Sequence, residues 1–172
     1  MQPVTVALTE ADAVAAQRLY GLSFLLRRST LLRFGAMWLF LIIALIAITV
    51  GTDGAATIPF IAIIVLIAVL PIAIIVGMTL ILGPRAARQA FAAQKTLRAP
   101  VDYSWSPEGL SFNSEYGENL VPWAHLHSWL ENDKIILLFE GPRIYRMLPK
   151  RLLSADQLAQ LREYLASSGI AH

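Results

Sequence analysis

The stretches FGAMWLFLIIALIAITV (Phe34–Val50) and IPFIAIIVLIAVLPIAIIVGMTLIL (Ile58–Leu82) hold 17 and 25 residues without one charged side chain. As helices they reach about 25 Å and about 37 Å, so the first is just long enough to cross a bilayer and the second crosses with tilt. Leu, Ile, Val and Phe dominate both, each favouring insertion by about 0.3–0.6 kcal/mol. The buried helix of a soluble core keeps a polar face, and neither stretch has one. The pair therefore predicts a transmembrane hairpin. Pro59 falls in the first turn of the second segment, where its missing N–H costs little, whereas Pro71 lies mid-segment and predicts a tolerated kink. No ionisable group lies in either segment, which removes the usual marker of an ion or proton path.

All 26 charged residues of the 172 lie outside these windows, so the remaining 130 are 20% charged, near the average of about a quarter. There is no Cys, which excludes disulfides, Cys-ligated zinc and thiol nucleophiles. A cleaved signal peptide is not expected, because Glu10 and Asp12 precede an apolar run that begins only at Phe34. The pI of about 9.2 suggests nucleic acid until the charges are placed. Residues 1–33 carry a net +2 and residues 83–99 a net +4, from Arg85, Arg88, Lys95 and Arg98; Asp53 adds −1 and residues 100–172 carry −3. The cations form collars beside the apolar windows, and the tail lacks the basic stripe that a phosphate backbone requires. No nucleic-acid partner is expected. The connection Gly51–Thr57 has no Lys or Arg, while Arg27, Arg28 and Arg33 flank one window and the 83–99 cluster the other. The positive-inside rule then predicts a multi-pass protein with both termini in the cytoplasm, and Arg85 and Arg88 as contacts to anionic headgroups.

Val4–Leu8 reads as a short strand, and Thr9 with Asp12 as the cap of a helix from Glu10. Ala11, Ala15, Leu19, Leu22 and Leu26 share one helical stripe, expected to pack on the cytoplasmic domain, and the helix is expected to run on into the first span. Beyond Ala99-Pro100, strands are predicted at Val101–Trp105, Gly109–Glu115, Asn119–Glu131, Lys134–Glu140 and Arg143–Leu148. Ser154 and Gln157 form a capping box for a last helix, Ala155–Ser167. The fold class is α+β: a two-helix transmembrane hairpin with a small antiparallel sheet domain closed by a C-terminal helix. Four segments follow, an N-terminal strand and helix (1–33), the hairpin (34–82), a basic juxtamembrane helix (83–99) and a cytoplasmic β-rich domain (100–172). A core of about 70 residues is marginal, so docking of Val4–Leu8 or dimerisation is expected to support it.

Two apolar spans after a strand and helix, then Val121-Pro122-Trp123-Ala124-His125-Leu126, Ile135-Ile136-Leu137-Leu138 and Leu148-Pro149-Lys150-Arg151, resemble the bacterial YcxB-like family over nearly the whole chain. The resemblance implies an inner-membrane hairpin carrying a cytoplasmic domain similar to pleckstrin-homology-like folds. It implies no activity, cofactor or catalytic residue.

Chemistry is sparse. On a strand, Trp123, His125, His127 and Trp129 would share a face, and two imidazoles there could meet a metal ion with a third ligand such as Glu118 or Glu131, but nothing in the spacing demands one and no metal site is expected. There is no G-x-S-x-G, Walker loop or dinucleotide fingerprint, so no enzyme or cofactor is expected. Lys150 and Arg151 are the tail's candidates for headgroup contact. Trp123, Trp129 and Tyr145 are its candidate partner-binding aromatics, since Trp and Tyr dominate interface hot spots. The expected function is a membrane-anchored, non-enzymatic interaction module with a protein partner or a second copy of itself. The alternatives are an immunity or regulatory protein acting against a membrane-targeting toxin, and a lipid-headgroup sensor.

Overall fold

A computed structural model describes residues 3–51 and 57–170. Most of the expected connection Gly51–Thr57 thus lies outside the described residues. The chain forms two units, Gly21–Gly83 and a second that joins the segment up to Tyr20 with the segment from Pro84 onward.

The first unit is helical. It takes the end of α1 (Glu10–Leu26), then α2 (Arg28–Gly51), α3 (Thr57–Gly77) and a π-helical stretch, Met78–Leu82. α2 and α3 touch one another, and the helical stretches Arg28–Ile48 and Val65–Ala93 are long and apolar enough to cross a membrane, with no buried residue in the most apolar part of either. Leu39 and Phe40, for example, are 60% and 70% exposed. One expectation changes here. α1 does not run on into the first apolar helix but breaks at Arg27, and α2 starts at Arg28, before the charge-free window. Pro71 lies inside α3, and the π-helical stretch follows directly after Gly77. There Thr79 Oγ1 donates to the Ile75 carbonyl at 2.9 Å, and Gly21 lies so close that a Cβ would overlap the Thr79 methyl.

The second unit is built on two antiparallel sheets. One has the order β1 (Val4–Val6), β2 (Val101–Ser106), β3 (Gly109–Ser114), β4 (Gly117–Pro122); the other has β5 (Ser128–Glu131), β6 (Ile135–Phe139), β7 (Tyr145–Pro149). β1 pairs with β2 in the register Val4↔Tyr103 to Val6↔Val101, so the strand that precedes the apolar hairpin completes the sheet that follows it. At the β3–β4 corner, a Cβ on Gly109 would overlap the Val121 carbonyl oxygen, which keeps this pair close only with glycine.

The expected single strand Asn119–Glu131 is in fact two strands in different sheets. Pro122 cannot donate to a ladder, and Trp123–His125 turns as 3-10 helix, closed by the Leu126 N–H on the Trp123 carbonyl at 3.0 Å. The chain passes from one sheet to the other at this corner. Trp123, His125, His127 and Trp129 consequently do not share a strand face.

Val6, Trp105, Leu110, Ile136, Leu138 and Leu148 fill the space between the sheets, with Leu161 and Leu165 of α6 (Ala155–Ser167) closing it. The predicted Ser154–Gln157 capping box is present, with both reciprocal hydrogen bonds formed. β6 is buried on both faces, because Ile135, Leu137 and Phe139 point the other way and meet Ala16 of α1, flanked by Leu19 and Tyr20. α1 therefore packs on the β5–β7 sheet, but through a rotated stripe: Asp12, Ala13 and Ala16 are buried while Ala11 is exposed. Small side chains at 13 and 16 let the helix approach the sheet closely. Ala16→Leu should destabilise the fold by about 1–3 kcal/mol through overpacking. Ala11→Leu should stay within about 0.5 kcal/mol, a contrast that denaturant unfolding of the detergent-solubilised chain measures.

Candidate binding surfaces

β5 and the β5–β6 turn build one recess. Trp129, half-buried, walls an open cavity of about 460 Å³ with Glu131, Asn132, Asp133, Lys150, Arg162 and Ala166. Glu131 is held between two cations, Lys150 Nζ and the Arg162 guanidinium. The Glu131 and Lys150 side chains are only 12% and 15% exposed. Burial alone would raise the Glu131 carboxyl, but hydrogen bonds from Arg162 and Lys150 outweigh it and hold the group below its ordinary range. The recess offers an aromatic wall beside a neutralised charge cluster, with no free cation on its floor.

A second cluster ties the N-terminal segment to the turn after β7. Arg151 donates to both Asp12 oxygens, at 2.7 and 3.3 Å, and to the Ala7 carbonyl at 3.1 Å. Asp12 also accepts from the Thr9 N–H and hydroxyl, each at 2.8 Å, and its own N–H donates back to Thr9 Oγ1 at 3.3 Å. The predicted Thr9–Asp12 cap is thus also half of an ion pair. Here too burial would raise the carboxyl, and the bonds from Arg151 and Thr9 win, so Asp12 lies below the carboxylate range. The sequence reading missed this role of Asp12, since nothing local links residues so far apart in the chain.

The opening between β1 and β7 holds a smaller cavity, about 130 Å³, bordered by Val6, Leu97, Tyr103, Tyr145 and Arg146 among others. Arg146 closes the inter-sheet space at this end: its Cζ lies 3.5 Å over the Phe112 ring, and it pairs with Glu140. Burial raises the Tyr103 and Tyr145 hydroxyls above their ordinary values, so both stay protonated.

These placements revise the expected site residues. Trp123 is a core residue: it is 6% exposed, its Nε1–H donates to the Ser106 carbonyl at 2.8 Å, and it stacks on Tyr164 at 5.7 Å. It is unavailable to a partner, and only Trp129 and Tyr145 of the three retain accessible surface. Tyr145 packs between Tyr20 and Phe139 at 5.6 and 5.3 Å. Lys150 and Arg151, the tail's expected headgroup contacts, are each engaged by a carboxylate, Glu131 and Asp12 respectively. On α4 (Gly83–Ala93), Arg88 pairs with Glu10 at 3.1 Å with both side chains well exposed, and Arg85 is exposed beside it. His125 and His127 are exposed, and among the described residues no three His, Cys, Asp or Glu side chains assemble as metal ligands.

The fold and these surfaces define a class: a two-sheet β-domain closed by one helix, interrupted in sequence by two apolar helices. Residues 105–165 match the family model described as YcxB-like protein. The expected resemblance to that family is thus shown, on residues 105–165. No curated protein and no solved structure matches the chain.

Both depressed carboxyls bind fewer protons folded than unfolded, so their stabilisation is present above the ordinary carboxylate pKa of about 4 and lost as pH falls below it. Thermal stability should be level between about pH 7 and 5 and decline below about 4. Glu131→Gln should lower stability by about 1–3 kcal/mol at neutral pH, by leaving Lys150 unpaired, and should flatten the acid limb of the curve.

Proposed function

We propose that the protein is a membrane-anchored, non-enzymatic interaction module of the YcxB-like type. Its two apolar helices cross the bacterial inner membrane as a hairpin, both termini are cytoplasmic, and a pleckstrin-homology-like β-domain works at the inner face. The observation that carries this reading is the β1–β2 pairing. Val4–Val6 precedes the first apolar helix and Val101–Ser106 follows the second, yet they form one ladder. Strands can pair only on one side of a bilayer, which two crossings satisfy. Supporting insertion, an apolar surface as extensive as that of α2 and α3 is not left in water by a soluble monomer. The cationic collars select the cytoplasmic side.

For the module's target, the Trp129 recess suits a protein better than a lipid. It pairs an accessible aromatic with polar rim groups, while its cations are already neutralised by Glu131. The same neutralisation weighs against headgroup sensing at Lys150 and Arg151.

Two measurements test these steps. Alkaline phosphatase fused at Asp53 should be active and at His172 inactive; activity at His172 would overturn the orientation. A photo-crosslinking residue at position 129 should yield a discrete protein adduct in native membranes, and one at buried position 123 should not. Equal adducts, or lipid adducts alone, would remove the protein-partner reading.

A further inference from the structure

The first sheet ends at β4, whose outer edge pairs with no strand among the described residues. Ser114 faces Gly117 across the two-residue turn Glu115-Tyr116. In such a hairpin the pair that closes the turn exchanges both of its backbone hydrogen bonds, and pairs of this kind recur at every second position. Gly117, Asn119 and Val121 therefore bond to β3, whereas Glu118 and Leu120 turn their N–H and C=O groups to the open edge. Every residue from Glu115 to Leu120 is exposed, so the edge lies open to solvent. Pro122, with no N–H to offer, bounds it at one end.

The side chains beside this edge set its chemistry. Across the solvent face the register places Thr5, Asp102, Asn113 and Glu118 in one row, and Ser104, Ser111 and Leu120 in the next. Asp102, Glu118 and the turn residues Glu108 and Glu115 are all exposed. No Lys or Arg occurs between Arg98 and Lys134, and among the described residues none of these four carboxylates is in an ion pair. Asp102 accepts from the Thr5 hydroxyl at 2.6 Å and Glu108 from the Ser106 hydroxyl, contacts that leave the charge in place. The nearest cations do not offset it. Arg98 ends α5 (Lys95–Arg98) ahead of β2, which β3 separates from β4, and Lys134 precedes β6 in the other sheet. Arg146 lies over the ring of Phe112, a buried core residue, and is committed to Glu140. Leu120, 51% exposed, is the apolar side chain of the two rows.

We propose that β4 is a docking edge for an extended segment of a protein partner, added antiparallel like every other pair in the domain. The segment carries Arg or Lys opposite Glu118 and, two residues along on the same face, an apolar side chain opposite Leu120. The open backbone groups of Glu118 and Leu120 supply the ladder, and the cation-free face selects the partner's sign. The same charge repels anionic lipid and nucleic acid. This edge belongs to the first sheet, apart from the Trp129 recess on the second, and it holds for any placement of the domain beside a membrane.

The test uses the full chain in an uncharged detergent, with three labelled peptides as probes. One repeats Arg-Thr-Val-Thr. A second has Glu in place of Arg. A third keeps the first sequence but is methylated on the Arg and Val backbone nitrogens, which preserves charge and side chains and removes the donors that the ladder needs. The first should bind. The second should bind at least about five-fold more weakly, the size of one cross-strand charge pair, and the third should lose binding. Glu118→Lys should weaken the first peptide by about the same factor and strengthen the second. Saturation with the first peptide should slow hydrogen exchange at the Glu118 and Leu120 amides and barely change Gly117 and Asn119, which already bond to β3. Equal binding of the methylated peptide would overturn strand addition, and equal binding of the Glu peptide would overturn the charge selection. Protection around Trp129 in place of β4 would overturn the edge as the site while leaving the recess reading standing.

Discussion

The architecture depends on a three-residue strand. Val4–Val6 supplies the edge of the first sheet, and without it Val101, Asp102 and Tyr103 of β2 would lose their ladder partners. Because this strand and its partner are separated in sequence by both apolar helices, the ladder closes only when the chain returns to the β-domain after them. Arg151 strengthens the link, reaching from the turn after β7 to Ala7 and Asp12, so that the N-terminal segment is bound to both sheets rather than to one.

β6 carries the second constraint. An antiparallel strand with one wet face alternates apolar and polar residues, whereas Ile135–Phe139 is apolar throughout and buried throughout. Such a strand needs a cover on each side. α6 lies over the face shared with the first sheet, and α1 covers the other, with Ala13 and Ala16 small enough to permit close approach. The marginal size of a domain cut at Pro100 is resolved in this way: strand, helix and ion pair from the N-terminal segment complete a core that the tail alone leaves open on one face and at one edge.

Signals confined to a few neighbouring residues were legible in the sequence. The apolar windows, the Ser154–Gln157 box, the Thr9–Asp12 cap and the cores of most strands depend on composition or on spacings of three or four. What was not legible depends on distant partners. Helical periodicity identified a stripe on α1 but chose Ala11 over Ala13 and Ala16, because the choice is set by β6. Alternation carried one strand across Trp123, because hydrophobic pattern outweighed Pro122, although a proline in mid-strand is a local signal that demotes such a reading. The roles of Lys150 and Arg151 were hidden by the same distance: the carboxylates that engage them lie elsewhere in the sequence.

Those ion pairs also change what the domain's charge means. Residues 100–172 sum to −3, which on its own argues against any affinity for anions. Yet Arg146, Lys150, Arg151 and Arg162 are each committed to a carboxylate within the domain. Of the tail's six cations, this leaves Lys134 and Arg143 unpaired among the described residues, one at each end of β6. A net count averages over this arrangement, whereas a surface a few Ångströms away responds to the nearest uncompensated charge, since screening at physiological salt removes contributions beyond about 8 Å. Asp133 adjoins Lys134 in the turn before β6, whereas Arg143 stands next to the apolar Ile144 with no carboxylate partner among the described residues, so the sign a docking surface meets at each end of β6 is local.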